Sequence, residues 1–242
     1  MRVLLLGGTS EARALAARLH PGVDVISSLA GRVPDPALPP GEVRIGGFGG
    51  VEGMRRWLSE AGVDAVVDAT HPFAATITAH AAAACGELGL PHLVLTRPAW
   101  EPGDAIVVGS DAEAAKTVAA EGYSRVFLTT GRSGTAAFAD VDAWFLIRAV
   151  TAPDAETVPR RHRVVLSRGP YNYDEELALL REHHIDVLVT KNSGGAMTRP
   201  KLDAAAALDV AVVMVDRPPV PSAVTTVGTV DEAVGWVSSM LR

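Results

Sequence analysis

The chain opens on an apolar run, Val3 to Leu6, that breaks at Gly7-Gly8 and resumes from Ser10 with apolar residues three and four apart as far as Leu19. A short continuous apolar run reads as a strand buried on both faces, and the three-and-four spacing as an amphipathic helix. This alternation continues. Strands are predicted near Arg2–Leu6, Val23–Ser27, Glu42–Ile45, Ala65–Asp68 and His92–Thr96, with helices near Ser10–Leu19, Val51–Ala61 and Phe73–Leu88. After Arg97-Pro98 it starts again, with strands near Ala105–Val108, Arg125–Thr129, Trp144–Arg148, Arg163–Leu166, Val187–Thr190 and Val210–Val215. Helices follow near Ala112–Glu121, Tyr173–His183, Thr198–Ala207 and Val230–Leu241.

Strands alternating with helices indicate parallel sheets covered by helices. The predicted fold class is α/β, with two Rossmann-like domains of parallel sheets flanked by helices and an active site in the interdomain cleft. Pro98, Pro102 and Gly103 interrupt the pattern, so the expected domains are 1–98, binding a nucleotide cofactor, and 99–242, binding the substrate. Periodicity does not reveal which strand pairs with which, so the short runs beside this boundary and Val224–Val227 fit either sheet. Pro34 to Pro40 reads as a surface loop.

Composition narrows the class. Of 242 residues, 48% are hydrophobic and 21% charged, which describes a core-forming globular chain rather than a disordered one. No apolar run reaches the roughly 20 residues of a membrane span, and the first strand runs into its glycine turn with no cleavage signal, so a cytoplasmic protein is expected. The single cysteine, Cys85, excludes an internal disulfide and a cysteine-based metal site, and its Ala-rich surroundings suit a small buried filler; no metal is expected. A formal net charge of −6 argues against nucleic-acid partners.

The opening turn, Gly7-Gly8-Thr9-Ser10-Glu11, is suited to a phosphate. Glycine admits an anion close to the backbone, and the helix start offers unpaired N–H groups and a positive dipole end. Thr9 and Ser10 add hydroxyls, and Ser10 can cap the helix. Counting from Gly7, the dinucleotide fingerprint positions hold Gly7, Thr9 and Ala12, so only the first is standard. The same turn also serves as a tight strand–helix connection without a ligand.

In open parallel sheets ligands lie beyond the carboxyl ends of the strands. The second strand runs into Ser27-Ser28-Leu29-Ala30-Gly31-Arg32, where an NAD site would place an acidic residue against the ribose; hydroxyls and Arg32 favour a 2′-phosphate, hence NADP(H), over the alternative of a solvated loop arginine. The third exits through Gly46-Gly47-Phe48-Gly49-Gly50, a backbone suited to close cofactor approach. The fourth leads into Asp68-Ala69-Thr70-His71-Pro72-Phe73-Ala74, with His71 at the mouth of a helix started by Pro72, either as a catalytic group or as a packed or capping residue.

In the second half, cations follow strand after strand: Arg97 at the boundary, then Arg132, Arg148, Arg168, Lys191 before Asn192-Ser193-Gly194, and Arg217. Parallel strands would gather them into a basic rim that holds a substrate with several carboxylates or phosphates. Taken singly, each also suits a surface or capping cation.

On the Gly7-to-Glu11 turn, Ser28-Leu29-Ala30-Gly31-Arg32, the Asp68-to-Ala74 block, Thr130-Gly131-Arg132 and Val189-Thr190-Lys191-Asn192-Ser193-Gly194, the chain resembles the precorrin-6A reductase family of cobalamin biosynthesis, cobalt-precorrin enzymes included, over nearly its full length. The resemblance implies hydride transfer from NADPH to a ring double bond of a polycarboxylated tetrapyrrole. It implies a pyrophosphate on Gly7, Gly8, Thr9, Ser10 and Glu11, further cofactor contacts from Ser27, Ser28, Arg32, Gly46 and Thr70, and the nicotinamide near Phe48 and His71. The acetate and propionate arms would lie on Arg132, Arg168, Lys191, Asn192, Ser193 and Arg217. His71 and Lys191 are the expected catalytic residues, and the proton donor stays open among His71, Lys191, Tyr171 and solvent. A short-chain dehydrogenase would need a lysine four residues after a tyrosine, and Tyr123, Tyr171 and Tyr173 lack one. A non-enzymatic NADP(H) sensor, or another NADPH-dependent reductase of a polyanion, remains as the alternative; a sensor would have no use for a basic rim. Neither oligomeric state nor the presence of cobalt in the substrate follows from these residues.

Overall fold

The computed structural model describes residues 1–31 and 38–241. The chain begins with β1 (Arg2–Leu6), α1 (Ser10–Leu19), β2 (Asp24–Leu29), β3 (Glu42–Ile45), α2 (Gly50–Glu60), β4 (Ala65–Asp68), α3 (Ala75–Leu88) and β5 (His92–Leu95). It continues through β6 (Ile106–Val108), α4 (Asp111–Ala120), β7 (Arg125–Leu128), a 3-10 stretch at Arg132–Phe138, β8 (Trp144–Ala149) and β9 (Arg161–Leu166). It ends with α5 (Tyr173–Glu182), β10 (Val187–Lys191), α6 (Pro200–Ala207), β11 (Ala211–Val215), β12 (Thr225–Val227) and α7 (Val230–Ser239). Among the described residues no helix is long and apolar enough to cross a membrane.

These strands form two six-stranded sheets in the orders β3-β2-β1-β4-β5-β12 and β9-β8-β7-β10-β11-β6, and every neighbouring pair is parallel. Both are doubly wound. The strand order reverses between β1 and β4 in one and between β7 and β10 in the other, and crevices at such reversals are where open α/β sheets bind ligands.

The sixth strand of each sheet settles a pairing that periodicity left open. β6, next in sequence after β5, joins the second sheet beside β11, whereas β12, from the C-terminal segment, joins the first beside β5. The compact units are therefore Met1–Pro98 with Pro218–Arg242, and Ala99–Arg217, which corrects the expected second domain of 99–242. The reason is packing: α7 buries Ala233 and Val237 in the cluster that holds Val3, Leu5, Leu15 and Leu93 of the first unit.

The first sheet is buried on both faces, as its apolar runs require. Val3 and Leu5 point to the α1 and α7 side, while Leu4 and Leu6 meet Met54 and Leu58 of α2 and Ala81, Ala84 and Cys85 of α3. Cys85 is thus the small core residue expected, and burial pushes its thiol up to about 12. In the second unit Phe127, Leu146, Leu188 and Met214 of the sheet pack with Leu180 of α5 and Leu202 of α6.

The start of α3 differs from expectation. α3 begins at Ala75 rather than Phe73, because the Ala74 N–H closes a turn onto the His71 carbonyl at 2.7 Å and places Pro72 in that turn. The 3-10 stretch after Gly131 was not predicted; it lacks the long apolar spacing that marks an α-helix.

Candidate active site

At the carboxyl edge of the first sheet, β1 leads into the glycine turn. Gly8 adopts φ +113°, where a side chain would be strained, and a Cβ built on it meets nothing within 4 Å, so the turn is open to a close-approaching group. Thr9, not Ser10, caps α1: its Oγ1 accepts the Ala12 N–H at 3.1 Å and donates to the Ala69 carbonyl at 2.7 Å. This buried hydroxyl joins β1 to the β4 exit and is committed to the fold, which corrects its expected role as a ligand donor. Ser10 Oγ instead donates to Glu11 at 3.0 Å, and Arg97 Nη1 pairs with the same carboxylate at 3.0 Å. Burial works to raise the Glu11 carboxyl, but hydrogen bonds from its own N–H, Ser10 and Arg97, with the Arg97 charge, outweigh it and hold it below its ordinary value. Arg97 therefore serves the first unit and does not belong to the expected rim.

Ser27 and Ser28 part company because successive strand residues face opposite ways. Ser27, 1% exposed, points into the interior, where its Oγ finds no partner, so it is not brought to the ligand edge as expected. Ser28 stands beside Arg44 of β3 and accepts from its Nη1 at 2.8 Å. Arg44, absent from the sequence-based site, lies with its guanidinium carbon 3.8 Å from the centre of the Phe48 ring. Its place in Glu-Val-Arg-Ile looks like an ordinary outward position, and the signal for it was its parity with Ser28 across the β2–β3 register. Arg32 lies outside the described residues.

Beyond β4, Asp68 is buried and its Oδ1 accepts from the Thr70 N–H at 2.9 Å and hydroxyl at 2.6 Å. Its Oδ2 is buried with no hydrogen-bond partner. The Thr70 hydroxyl is thus a donor within this turn. His71 is exposed, and its Nδ1 accepts the Phe73 N–H at 3.3 Å, so the neutral ring carries its proton on Nε2. The order β3-β2-β1-β4 separates Phe48 after β3 from His71 after β4 by three strand spacings, about 14 Å. The ends of β3 and β4 are therefore not adjacent in the sheet.

In the second unit, the strands preceding Arg168, Arg132, Lys191 and Arg217 are β9, β7, β10 and β11, all parallel, so these cations stand along one edge spanning four strand spacings, roughly 19 Å. Arg132 and Lys191 flank the reversal between β7 and β10. Lys191 Nζ lies 3.3 Å from Asp111 Oδ2 in the first turn of α4. Asp111 Oδ1 and Thr130 Oγ1 are buried without partners, and a Cβ on Gly134 would approach them to 3.1 and 2.3 Å, so only glycine fits there.

A second expected rim member, Arg148, and an expected substrate contact, Asn192, are committed elsewhere. Arg148, on β8, is buried and pairs through both Nη atoms with Glu176 at 2.9 and 2.6 Å, its guanidinium stacked on Tyr171 at 4.0 Å. The Asn192 amide is buried and clasps the Trp100 backbone, accepting its N–H at 2.8 Å and donating to its carbonyl at 3.1 Å. Asn192 is thus a latch, not a substrate contact. Arg217 donates from Nε to the Asn192 carbonyl at 2.7 Å, and the Ser193 N–H closes a tight turn onto Lys191 O at 2.7 Å. Among the described residues there is no group of three or more His, Cys, Asp or Glu placed to hold a metal.

Set against known proteins, residues 2–238 match the family described as precorrin-6x reductase CbiJ/CobK. A precorrin-6A reductase of Mycobacterium tuberculosis is 70% identical over 239 residues, covering 99% of this chain and 98% of that protein. One from Rhodococcus erythropolis is 53% identical, covering 100% of this chain and 99% of its own. The solved structure of a CobK precorrin-6A reductase superposes with a TM-score of 0.91 at 37% identity, covering 99% of this chain and 96% of that one. With the doubly wound sheets, the glycine turn and the cation-lined edge, these matches establish that the chain belongs to the precorrin-6x reductase CbiJ/CobK family.

Proposed function

We propose that the chain reduces a ring double bond of precorrin-6A with NADPH in the cytoplasmic synthesis of cobalamin, with the cofactor on the first unit and the tetrapyrrole on the second. The observation that carries this reading is the division of chemistry between the sheets. The first offers an open glycine turn and a donor-bearing histidine at its reversal, and the second offers Arg132 and Lys191 at its own, with Arg168 and Arg217 farther along the same edge.

The residues suit a dinucleotide: Gly8 leaves room for a phosphate, the first turn of α1 brings N–H groups, and the neighbouring Glu11 carboxylate is answered by Arg97. When bound, NADPH supplies a hydride to one carbon of the double bond while a proton reaches the other, so the ring gains two hydrogens. His71, on the β4 side of the glycine turn, is assigned to the nicotinamide end and can present its Nε2–H there. Gly46 and Phe48, on the β3 side, are assigned to the adenosine end. Lys191, held beside Asp111, and the arginines of the edge bind and orient substrate carboxylates, and alignment of donor and acceptor carries most of the catalysis. Lys191 and His71 are the residues assigned to proton delivery.

The test is anaerobic incubation of the full chain with NADPH and metal-free precorrin-6A, followed by absorbance, with NADH and cobalt-loaded substrate in parallel. The expected result is NADPH consumption matched to loss of substrate. Binding of both ligands without turnover would instead indicate a sensor.

A further inference from the structure

The turn that follows β10 is held from outside itself. Gly194 and Gly195 adopt φ +67° and +80° in succession, a path that few side chains tolerate, and bring no side chains to pack against the sheet. Trp100, 6% exposed and placed between the start of the second unit and β6, supplies what they lack. The Asn192 amide grips its backbone on both sides, and its indole Nε1 donates to the Gly195 carbonyl at 3.0 Å. The ring belongs to the apolar cluster that holds Leu188 of β10, Leu202 of α6 and Met214 of β11, so close packing stands behind that hydrogen bond.

Lys201 of α6 extends the same scaffold. It is buried, its Nζ lies 4.8 Å from the centre of the Trp100 ring, and it donates to the Thr198 carbonyl at 2.9 Å. The Tyr171 N–H donates to the Met197 carbonyl at 3.0 Å. An indole, an ammonium and a backbone N–H thus hold the carbonyls of Gly195, Thr198 and Met197. What they set is the cation-lined edge. The Asn192 carbonyl accepts from Arg217 Nε at 2.7 Å, and the Asn192 N–H donates to the Val215 carbonyl at 2.9 Å, so the residue clasped onto Trp100 also fixes Arg217. Lys191 has a separate tether in Asp111.

We propose that Trp100 is a positioning residue of the tetrapyrrole site: through Gly195 and Asn192 it presets the turn after β10, and with it the guanidinium of Arg217, for the substrate carboxylates. This rests on the assignment of the tetrapyrrole to the second unit. Preset donors spare the entropy of ordering a loop and its side chains when the ligand arrives, so their loss shows in affinity rather than in the chemical step.

The experiment is steady-state kinetics of the full chain under anaerobic conditions, with precorrin-6A and NADPH varied separately. Trp100→Phe keeps a ring in the cluster and the backbone clasp but removes the indole N–H. Its KM for precorrin-6A should rise about fivefold, the effect of one neutral hydrogen bond, with kcat and the KM for NADPH within about twofold of the unaltered values. Hydrogen exchange should quicken over residues 193–199 and stay as it is in the first unit. Ile185→Val, a mild change in the same cluster that takes no part in these hydrogen bonds, should leave all three constants unchanged. Lys201→Met, which keeps the stem and removes the bond to Thr198, should reproduce the rise, and it serves should the phenylalanine variant fail to fold. If the unaltered chain does not reduce precorrin-6A, the functional reading falls and this inference with it. If it does, and Trp100→Phe keeps the KM for precorrin-6A, or raises both KM values alike, or is matched by Ile185→Val, the inference alone is overturned.

Discussion

Lys191 Nζ lies 3.3 Å from Asp111 Oδ2, with the two side chains only 15% and 25% exposed, which ties the last residue of β10 to the first turn of α4. The helix dipole favours a carboxylate at that place, and the carboxylate in turn holds the ammonium at the sheet reversal. A cation so placed keeps its position without spending side-chain entropy when an anion arrives. Lys191→Ala and Arg132→Ala should each weaken tetrapyrrole binding at least about tenfold, the effect of a charged hydrogen bond, while NADPH binding stays unchanged. Separate titrations with the two ligands check this, and full-strength tetrapyrrole binding in both variants would contradict it.

The Arg148–Glu176 pair makes the opposite prediction. Both groups are buried and doubly hydrogen-bonded, so removing one leaves the other uncompensated. Glu176→Ala should cost about 3–5 kcal/mol of stability, read from the denaturant midpoint. Asp231→Ala, which breaks the exposed pair with Arg18, should leave the midpoint where it is.

Acid should act through Glu11. Its folded pKa lies below the ordinary 4.5, so the stability it contributes is fully present above that value and is lost as pH falls through the depressed folded one. Glu11→Gln has no proton to take up there. Its melting temperature should therefore decline less steeply than that of the unaltered protein below pH 4.5, and parallel declines would remove Glu11 from the acid response.

His71→Ala tests the chemical step. Single-turnover reduction should slow by more than about tenfold, with NADPH affinity within a factor of a few, because the ring is exposed and its Nδ1 accepts the Phe73 N–H of a local turn. An unaltered rate would make His71 a turn residue.

The strands were readable because a doubly covered parallel strand has to be apolar throughout, as in Val3 to Leu6 and Val187 to Val189. Their partners were not readable. β6 and β12 are three residues each, too short for their patterns to distinguish one sheet from the other. The placement of candidate residues at strand ends was legible from local sequence, as at the glycine turn after β1 and the block after β4. Their commitment was not legible where a distant residue decides: Arg148 and Arg132 occupy similar strand-end positions, but only Arg148 has Glu176, 28 residues onward, to neutralise it. Asn192 likewise meets Trp100 across 92 residues. Thr9 rather than Ser10 became the cap because its hydroxyl could also reach the Ala69 carbonyl on the neighbouring strand exit.

Hydride transfer itself is tested most directly with NADPH dideuterated at the nicotinamide C4, incubated anaerobically with precorrin-6A and the full chain in ordinary water. The tetrapyrrole product should carry one deuterium on the reduced double bond and one hydrogen from solvent, with one NADPH oxidised per product. Product without deuterium, or substrate unchanged while both ligands are bound, would contradict the account.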